Sequence, residues 1–179
     1  LLYNVLMSFQ QVDMFTLGSW IRPWAGLDNY RYIFAQPEFL LVMKNTALFV
    51  VCSITGQFIL GFGLAIFFQQ NFPAASTIRG LFLVSWVMPG LVVGGIWSFI
   101  LAGDYGVLNA ILKSLGIIDG PVFWKSDPDL AIWAVIIANI WLGLAFNMLL
   151  LSVGLAAIPR DLYEAAELDG ATAWQRFWT

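Results

Sequence analysis

The sequence predicts an all-α membrane protein, and three observations carry that reading. Hydrophobic residues make up 60% of the chain and charged residues only 11%, with a mean hydropathy of +0.82. A soluble domain has roughly a quarter of its residues charged. Residues 46–68, 81–102 and 131–157 are apolar and contain no Asp, Glu, Lys or Arg. At about 1.5 Å of rise per residue, each is long enough to cross a hydrocarbon layer about 30 Å thick. None of the three alternates apolar with polar residues, as the strands of about 10 residues in a membrane barrel would. A helix satisfies its own backbone polar groups in lipid, so three spanning helices follow.

Taken in order, residues 1–7 read as the end of a further span. The chain begins there without an initiator Met or the basic leader of a signal peptide, and we read it as part of a longer protein. Residues 8–45 carry Asp13, Arg22, Asp28, Arg31 and Glu38 among many aromatics. Within them, residues 27–34 have the pattern of a short amphipathic helix lying at the membrane surface. The first span, 46–68, is followed by a polar turn over 69–80 that holds Pro73 and Arg79. The second span, 81–102, contains Pro89, which cannot donate a helix bond and would leave the Ser85 carbonyl unpaired. Gly90 and Gly94, four apart, would allow another helix to approach closely. An acidic loop, 103–130, leads to the third span, 131–157. Residues 158–179 are the most charged and most patterned part. Arg79, Arg160 and Arg176 fall on one side of the membrane and Arg22, Arg31, Lys113 and Lys125 on the other. Corrected for loop length, that distribution slightly favours a cytoplasmic 158–179.

Several function classes lose support from composition. The net charge of −3 and the scattered Lys and Arg offer no basic face for nucleic acid. There is no histidine, and the one cysteine, Cys52, lies inside an apolar run. Neither a catalytic constellation nor a metal-ligand cluster is visible in the spans. The phosphate-binding G-x-x-x-x-G-K-[ST] loop is missing as well. If ATP drives this protein, another chain binds it. Carboxylates inside a span would have pointed to proton coupling, and the spans contain none.

The 158–179 segment has a definite local grammar. Asp161 and Glu164 have capping-box spacing and predict a helix beginning after Pro159. Gly170 predicts its end, because glycine accepts the left-handed C′ conformation. Thr172 and Gln175 repeat the capping-box spacing and predict the next helix start. Ala165 and Ala166 leave one part of the first helix without bulk, with Tyr163 and Leu168 as anchors for a partner. An ordinary loop helix packed beneath the membrane would have the same features.

Here the chain resembles the permease subunits of binding-protein-dependent ABC importers. Glu164-Ala165-Ala166, three residues and Gly170 match that family's EAA signature. The residues from Ile158 to Ala171 are similar to its sugar-importer branch, as in maltose, trehalose and glycerol-phosphate permeases. Gly26-Leu27-Asp28-Asn29-Tyr30, Lys44-Asn45-Thr46, Arg79-Gly80 with Pro89, Gly106-x-x-Asn109 and Asn139-Ile140-Trp141-Leu142-Gly143 resemble further family motifs in the same order. The resemblance implies a type I importer permease fold, with three complete spans and the end of another present here. It implies a multi-pass subunit of the inner membrane. It also implies that Tyr163, Glu164, Ala165, Ala166, Gly170 and Ala171 form a coupling helix docked on a cytoplasmic ATPase. The implied partners are a second permease in a heterodimer, two ATP-binding-cassette subunits that hold ATP and Mg, and an extracytoplasmic solute-binding protein. No cofactor is expected in this chain, and it would not itself be an enzyme.

A solute path can be sought in the spans. At 100° per residue, Asn139, Leu142, Gly143 and Phe146 fall in one sector of the third span, with Asn147 beside it and Trp141 roughly opposite. An amide, a gap and an aromatic ring would suit a polyol. An interhelical hydrogen bond from Asn139 is the alternative. Trp86 adjoins the Pro89 break, which reads equally as a kink in a packing helix. The family resemblance implies that Trp86, Asn139, Leu142, Gly143 and Phe146 face the solute. Two other classes stay open from the residues alone: a secondary transporter whose loop mimics the motif, and a membrane scaffold that transports nothing.

Overall fold

A computed structural model describes residues 1–20, 22–70 and 72–178, and of Arg160 and Ala173 the backbone only. The Arg160 side chain, which entered the charge reading, therefore lies outside the described residues. Two compact units divide the chain, Leu1–Leu48 and Phe49–Thr179.

The first unit holds α1 (Leu2–Met7), α2 (Asp28–Ala35) and the start of α3 (Phe39–Gln69). A small backbone clasp joins the segment after α1 to the one before α2. Gln11 N–H donates to the Pro23 carbonyl at 2.9 Å, and Ala25 N–H to the Phe9 carbonyl at 2.7 Å. Gly26 turns the chain at φ +57°, a conformation that costs glycine little. Asn29 then reaches back and donates to the carbonyls of Ser8 and Gln10 at 2.9 and 3.0 Å. Tyr30 Oη shares a 2.6 Å hydrogen bond with Ser8 Oγ. The Gly26–Tyr30 motif thus acts as a staple. Arg22, only 6% exposed, donates to the carbonyls of Thr16 and Leu17 at 2.7 and 2.6 Å. Asp13 accepts hydrogen bonds from the Thr16 and Phe15 backbone N–H groups. The Thr16 backbone bond is the main reason its carboxyl titrates below the ordinary range.

Helix α3 starts at Phe39, ahead of the uncharged run that begins at residue 46. Lys44 does not delay it, because a long basic side chain can carry its charge away from the apolar stem. Helices α3 and α7 (Ala131–Ala156) are each long and apolar enough to cross a membrane.

The predicted second span is broken. It consists of α4 (Ala75–Val87) and α5 (Gly90–Ile100), bent by 100°. A proline disfavours helical geometry in the residue before it, and Met88 is extended at φ −63°, ψ 135°. Pro89 is itself extended at ψ 136° and caps α5. Two extended residues in succession turn an expected kink into a corner. Gly90 and Gly94 would find nothing within 4 Å of an added Cβ, so the close approach expected there does not occur among the described residues.

Close approach occurs instead between α3 and α7. A Cβ on Gly61 would lie 2.8 Å from Asn147 Cβ and 3.1 Å from Met148 N, and one on Gly56 would meet Ile140 Cδ1 at 2.5 Å. Ser53, Ala65, Ala145 and Met148 are buried along these helices. At the end of α3, Arg79 of α4 donates to the Phe68 carbonyl at 2.6 Å and lies over the Phe68 ring. A cation there complements the carbonyl end of the helix.

Short helix α6 (Val107–Ser114) sits in the loop between α5 and α7. The Gly106-x-x-Asn109 motif explains how that loop holds its shape. A side chain on Gly106 would collide with the Ala102 carbonyl. Asn109, 7% exposed, donates to the carbonyls of Gly103 and Val122 at 2.8 and 2.9 Å and accepts from Trp124 Nε1 at 2.7 Å. Asn109→Leu should therefore loosen residues 103–124, since each buried group left unpaired costs about 1–3 kcal/mol. Limited proteolysis of the membrane-embedded protein should show cleavage in this loop at least several-fold faster. Cleavage at the wild-type rate would mean that the loop is held by other contacts.

Candidate functional site

Two places in the second unit gather the residues singled out by sequence. The first lies within the spans. Gln57 of α3 projects its amide at α7, where Nε2 donates both to the Asn139 carbonyl at 3.0 Å and to Asn139 Oδ1 at 2.9 Å. Gln57 Oε1 accepts from Asn147 Nδ2 at 3.2 Å, and the same Nδ2 donates to the Gly143 carbonyl at 2.9 Å. Gly143 is the floor of this arrangement, because a Cβ there would collide with the Gln57 amide. Asn139, Gly143 and Asn147 are spaced four apart and share one helix face.

The amide cluster is uncharged and therefore keeps its hydrogen bonding whatever the pH. Asn139 does make the interhelical bond that was its alternative reading, and the gap expected over Gly143 holds Gln57. Phe146 follows on the same face and lies 5.7 Å from Trp86, centroid to centroid, with both rings about half exposed. Leu142 is half-buried beside it. Trp141 packs elsewhere, edge-on to Trp97 at 6.1 Å. Trp86 of α4 thus meets Phe146 on the side of α7 that also carries Asn139 and Gly143. Gln57 was missed by sequence. Its signal was that it is the one amide side chain inside the uncharged run 46–68.

The second place is α8 (Arg160–Leu168) with α9 (Ala173–Trp178). The first capping box does not form: α8 begins at Arg160 with Pro159 as its cap, and no side chain caps it. Pro159 supplies the fixed φ suited to a helix start, which puts Asp161 into the first turn, where its charge favours the helix dipole. The predicted end does form. Gly170 stands at φ +79°. Ala171 N–H donates to the Ala166 carbonyl and Gly170 N–H to the Glu167 carbonyl, each at 3.0 Å, the paired bonds of a Schellman turn. The second capping box is present as well: Gln175 Oε1 accepts from Thr172 N–H at 2.8 Å, and Thr172 Oγ1 accepts from Gln175 N–H at 3.3 Å. Arg176 reaches Glu167 at 3.3 Å and ties α9 to α8.

Two faces of α8 differ. Leu162, Tyr163 and Ala166 line a cleft of about 880 Å³ with Phe58 and Phe62 of α3 and Phe177 of α9. Glu164, Ala165 and Leu168 face away from it and are exposed, Leu168 at 89%. The residues expected to dock a partner are therefore divided, with Tyr163 and Ala166 turned toward their own chain. Among the described residues no group of three or more His, Cys, Asp or Glu gathers in a way that could hold a metal.

Residues 57–179 match the family described as binding-protein-dependent transport system inner membrane component. The chain is 35% identical over 156 residues to the trehalose/maltose transport system permease protein MalF of Thermococcus litoralis, covering 87% of this chain and 52% of that one. It is 34% identical over 153 residues to the sulfoquinovosyl glycerol transport system permease protein SmoG of Agrobacterium fabrum, covering 86% and 49%. The chain thus spans about half the length of the curated relatives it matches. Its fold is similar to that of a chain in a bacterial ABC transporter involved in the import of the acidic polysaccharide alginate. The TM-score is 0.76 at 24% identity, covering 97% of this chain and 58% of that one.

Proposed function

The chain belongs to the family of binding-protein-dependent transport system inner membrane components, and from that premise we propose that it forms the core of a sugar permease subunit in an ATP-driven importer. The observation that carries the coupling half of this reading is the open face of α8. Glu164, Ala165 and Leu168 are exposed on a helix closed by a fixed Gly170 corner. Small side chains let a partner's backbone approach, and a bare leucine on a short polar helix gains by being covered. In this role Glu164 makes polar contacts, Ala165 admits the partner, and Gly170 with Ala171 sets the angle at which α8 leaves the membrane helices. Tyr163 and Ala166 take up the motion on the chain's own side, through the cleft against α3.

The solute reading rests on the cluster in the spans. The relatives are named for trehalose/maltose and for sulfoquinovosyl glycerol, and the fold neighbour for alginate, so a glycoside is the shared chemistry. Asn139 offers hydrogen bonds to hydroxyls, Gly143 floors a notch that Gln57 fills in this structure, and Trp86, Leu142 and Phe146 give apolar walls on which a sugar face can lie. The break at Pro89 brings irregular backbone into the span region, tolerated where it is buried in protein or lines a wet cavity. Transport proceeds by alternating access. ATP and Mg are bound by two ATP-binding-cassette subunits, a sister permease completes a heterodimer, and an extracytoplasmic binding protein delivers the solute. This chain catalyses no reaction of its own.

One observation favours a second reading. Asn139 is already bonded across to Gln57, as a packing device in a scaffold would be. Mass spectrometry of what co-purifies with the tagged full-length protein in mild detergent separates the two. An ATP-binding-cassette subunit and a second permease are expected. Isolation alone across several gentle detergents would sink the importer reading and leave a secondary transporter or a scaffold.

A further inference from the structure

Gln57 fills the very notch that the solute reading needs. Its amide is a donor and an acceptor held between an acceptor, Asn139 Oδ1, and a donor, Asn147 Nδ2. A pair of sugar hydroxyls offers the same two functions. On the other side of the cluster, Asn139 Nδ2 and Asn147 Oδ1 carry no hydrogen bond among the described residues and are not buried. Those two groups are open to a hydroxyl while Gln57 still holds the other pair. We infer that Gln57 is an internal stand-in for the solute: it occupies the Gly143 notch when the permease is empty and yields it to a hydroxyl pair when solute arrives. This inference rests on the reading of the cluster as the solute path.

The physical need for such a group is plain. An importer must return to its starting state empty, and an amide left unpaired in an apolar span costs free energy. Gln57 keeps Asn139 Oδ1 paired during that return, while Asn147 also holds its own bond to the Gly143 carbonyl. It also competes with the solute, because only molecules with Gln57 displaced are competent to bind. The apparent dissociation constant is raised by the reciprocal of that fraction. The Gly143 floor makes the competition strict, since there is no room for both the amide and a ligand group against the helix backbone.

A stand-in and a simple interhelical clasp respond differently to substitution. Gln57→Ala empties the notch, whereas Gln57→Leu fills it with a group of similar length that cannot be exchanged for hydroxyls on equal terms. The test uses the full-length chain in its assembled complex in proteoliposomes, with radiolabelled trehalose and maltose as probes. Gln57→Ala should lower the apparent KM about tenfold, and Gln57→Leu, which occupies the notch without hydrogen bonds, should lower it less. A clasp predicts that both variants reduce the amount of assembled complex and leave KM where it was. A rise of KM in Gln57→Ala would also overturn the proposal. A second measurement needs no sugar. In a cysteine-free background (Cys52→Ser in this stretch), Asn139→Cys should react with a small thiol reagent several-fold faster when Gln57 is also alanine. Equal rates would show that Gln57 does not cover the notch, and the proposal would fall. Uptake of neither sugar by the wild type would sink the sugar reading, and the labelling rates would still decide whether Gln57 is the cover.

Discussion

Gly170→Val is expected to reduce solute uptake by the assembled transporter about tenfold while the subunit still inserts and accumulates. Gly170 stands at φ +79°, a region that costs an L-residue roughly 1–2 kcal/mol and a β-branched residue more. Nothing lies within 4 Å of a Cβ at that position, so the penalty is conformational rather than steric. To escape it the chain must give up the Schellman bonds from Gly170 and Ala171 to Glu167 and Ala166. The last turn of α8 then frays, and the open Glu164–Ala165–Leu168 face loses its fixed relation to α9. A shift of 1–2 kcal/mol changes the population of the closed corner by a factor of about 5–30. Gly170→Asn should retain most uptake, because asparagine tolerates the left-handed region. ATP hydrolysis by the complex, measured alongside uptake, should become insensitive to solute in the valine variant. Wild-type uptake in that variant would remove the coupling role from this helix.

That corner could be read from sequence because its determinants are local. A glycine at C′ and a Thr-x-x-Gln pair act over a few residues and require no knowledge of the partner surface. The same locality misled at Asp161. Helix α8 starts directly after Pro159, two residues ahead of the position that an Asp161 cap requires, which leaves Asp161 in the first turn. The bend at Pro89 was underestimated for a related reason. The effect on Met88 adds to the lost hydrogen bond, and together they make a 100° corner.

Helix faces were harder to read. In water an apolar stripe marks the buried side, but α3 and α7 are apolar all round, so periodicity does not say which side meets protein. Gly90 and Gly94 were credited with close approach on spacing alone, and they face open space. Gly56, Gly61 and Gly143 make the contacts. Gln57 escaped notice because its partners are 82 and 90 residues away in sequence. The pairing becomes visible once α3 and α7 lie side by side. The sector of α7 chosen from the helical wheel was nevertheless the side on which Asn139, Gly143 and Phe146 meet neighbours.

Gly61→Val is expected to destabilise the subunit more than any exposed substitution on α3. Helix association in lipid depends on packing rather than on a hydrophobic driving force, so small residues at the seam matter directly. A Cβ on Gly61 would approach Asn147 Cβ at 2.8 Å, Met148 N at 3.1 Å and Asn147 C at 3.2 Å. Two of these are backbone atoms of α7 and cannot rotate aside. The helices must separate or shift, and neither is free. Ala65, Ala145 and Met148 are fully buried nearby at 0% exposure and would lose contacts. Separation would also stretch the bonds from Gln57 to Asn139 and Asn147, leaving amides unpaired in an apolar setting. Overpacking alone costs about 1–3 kcal/mol, and the loss of the amide bonds adds to it. Gly63→Val is the comparison, since a Cβ there meets nothing within 4 Å. On detergent-solubilised protein, thermal unfolding followed by size exclusion should show a clear loss for Gly61→Val and little change for Gly63→Val. Equal behaviour of the two variants would show that the α3–α7 seam does not hold the unit together, and the support for the amide cluster would go with it.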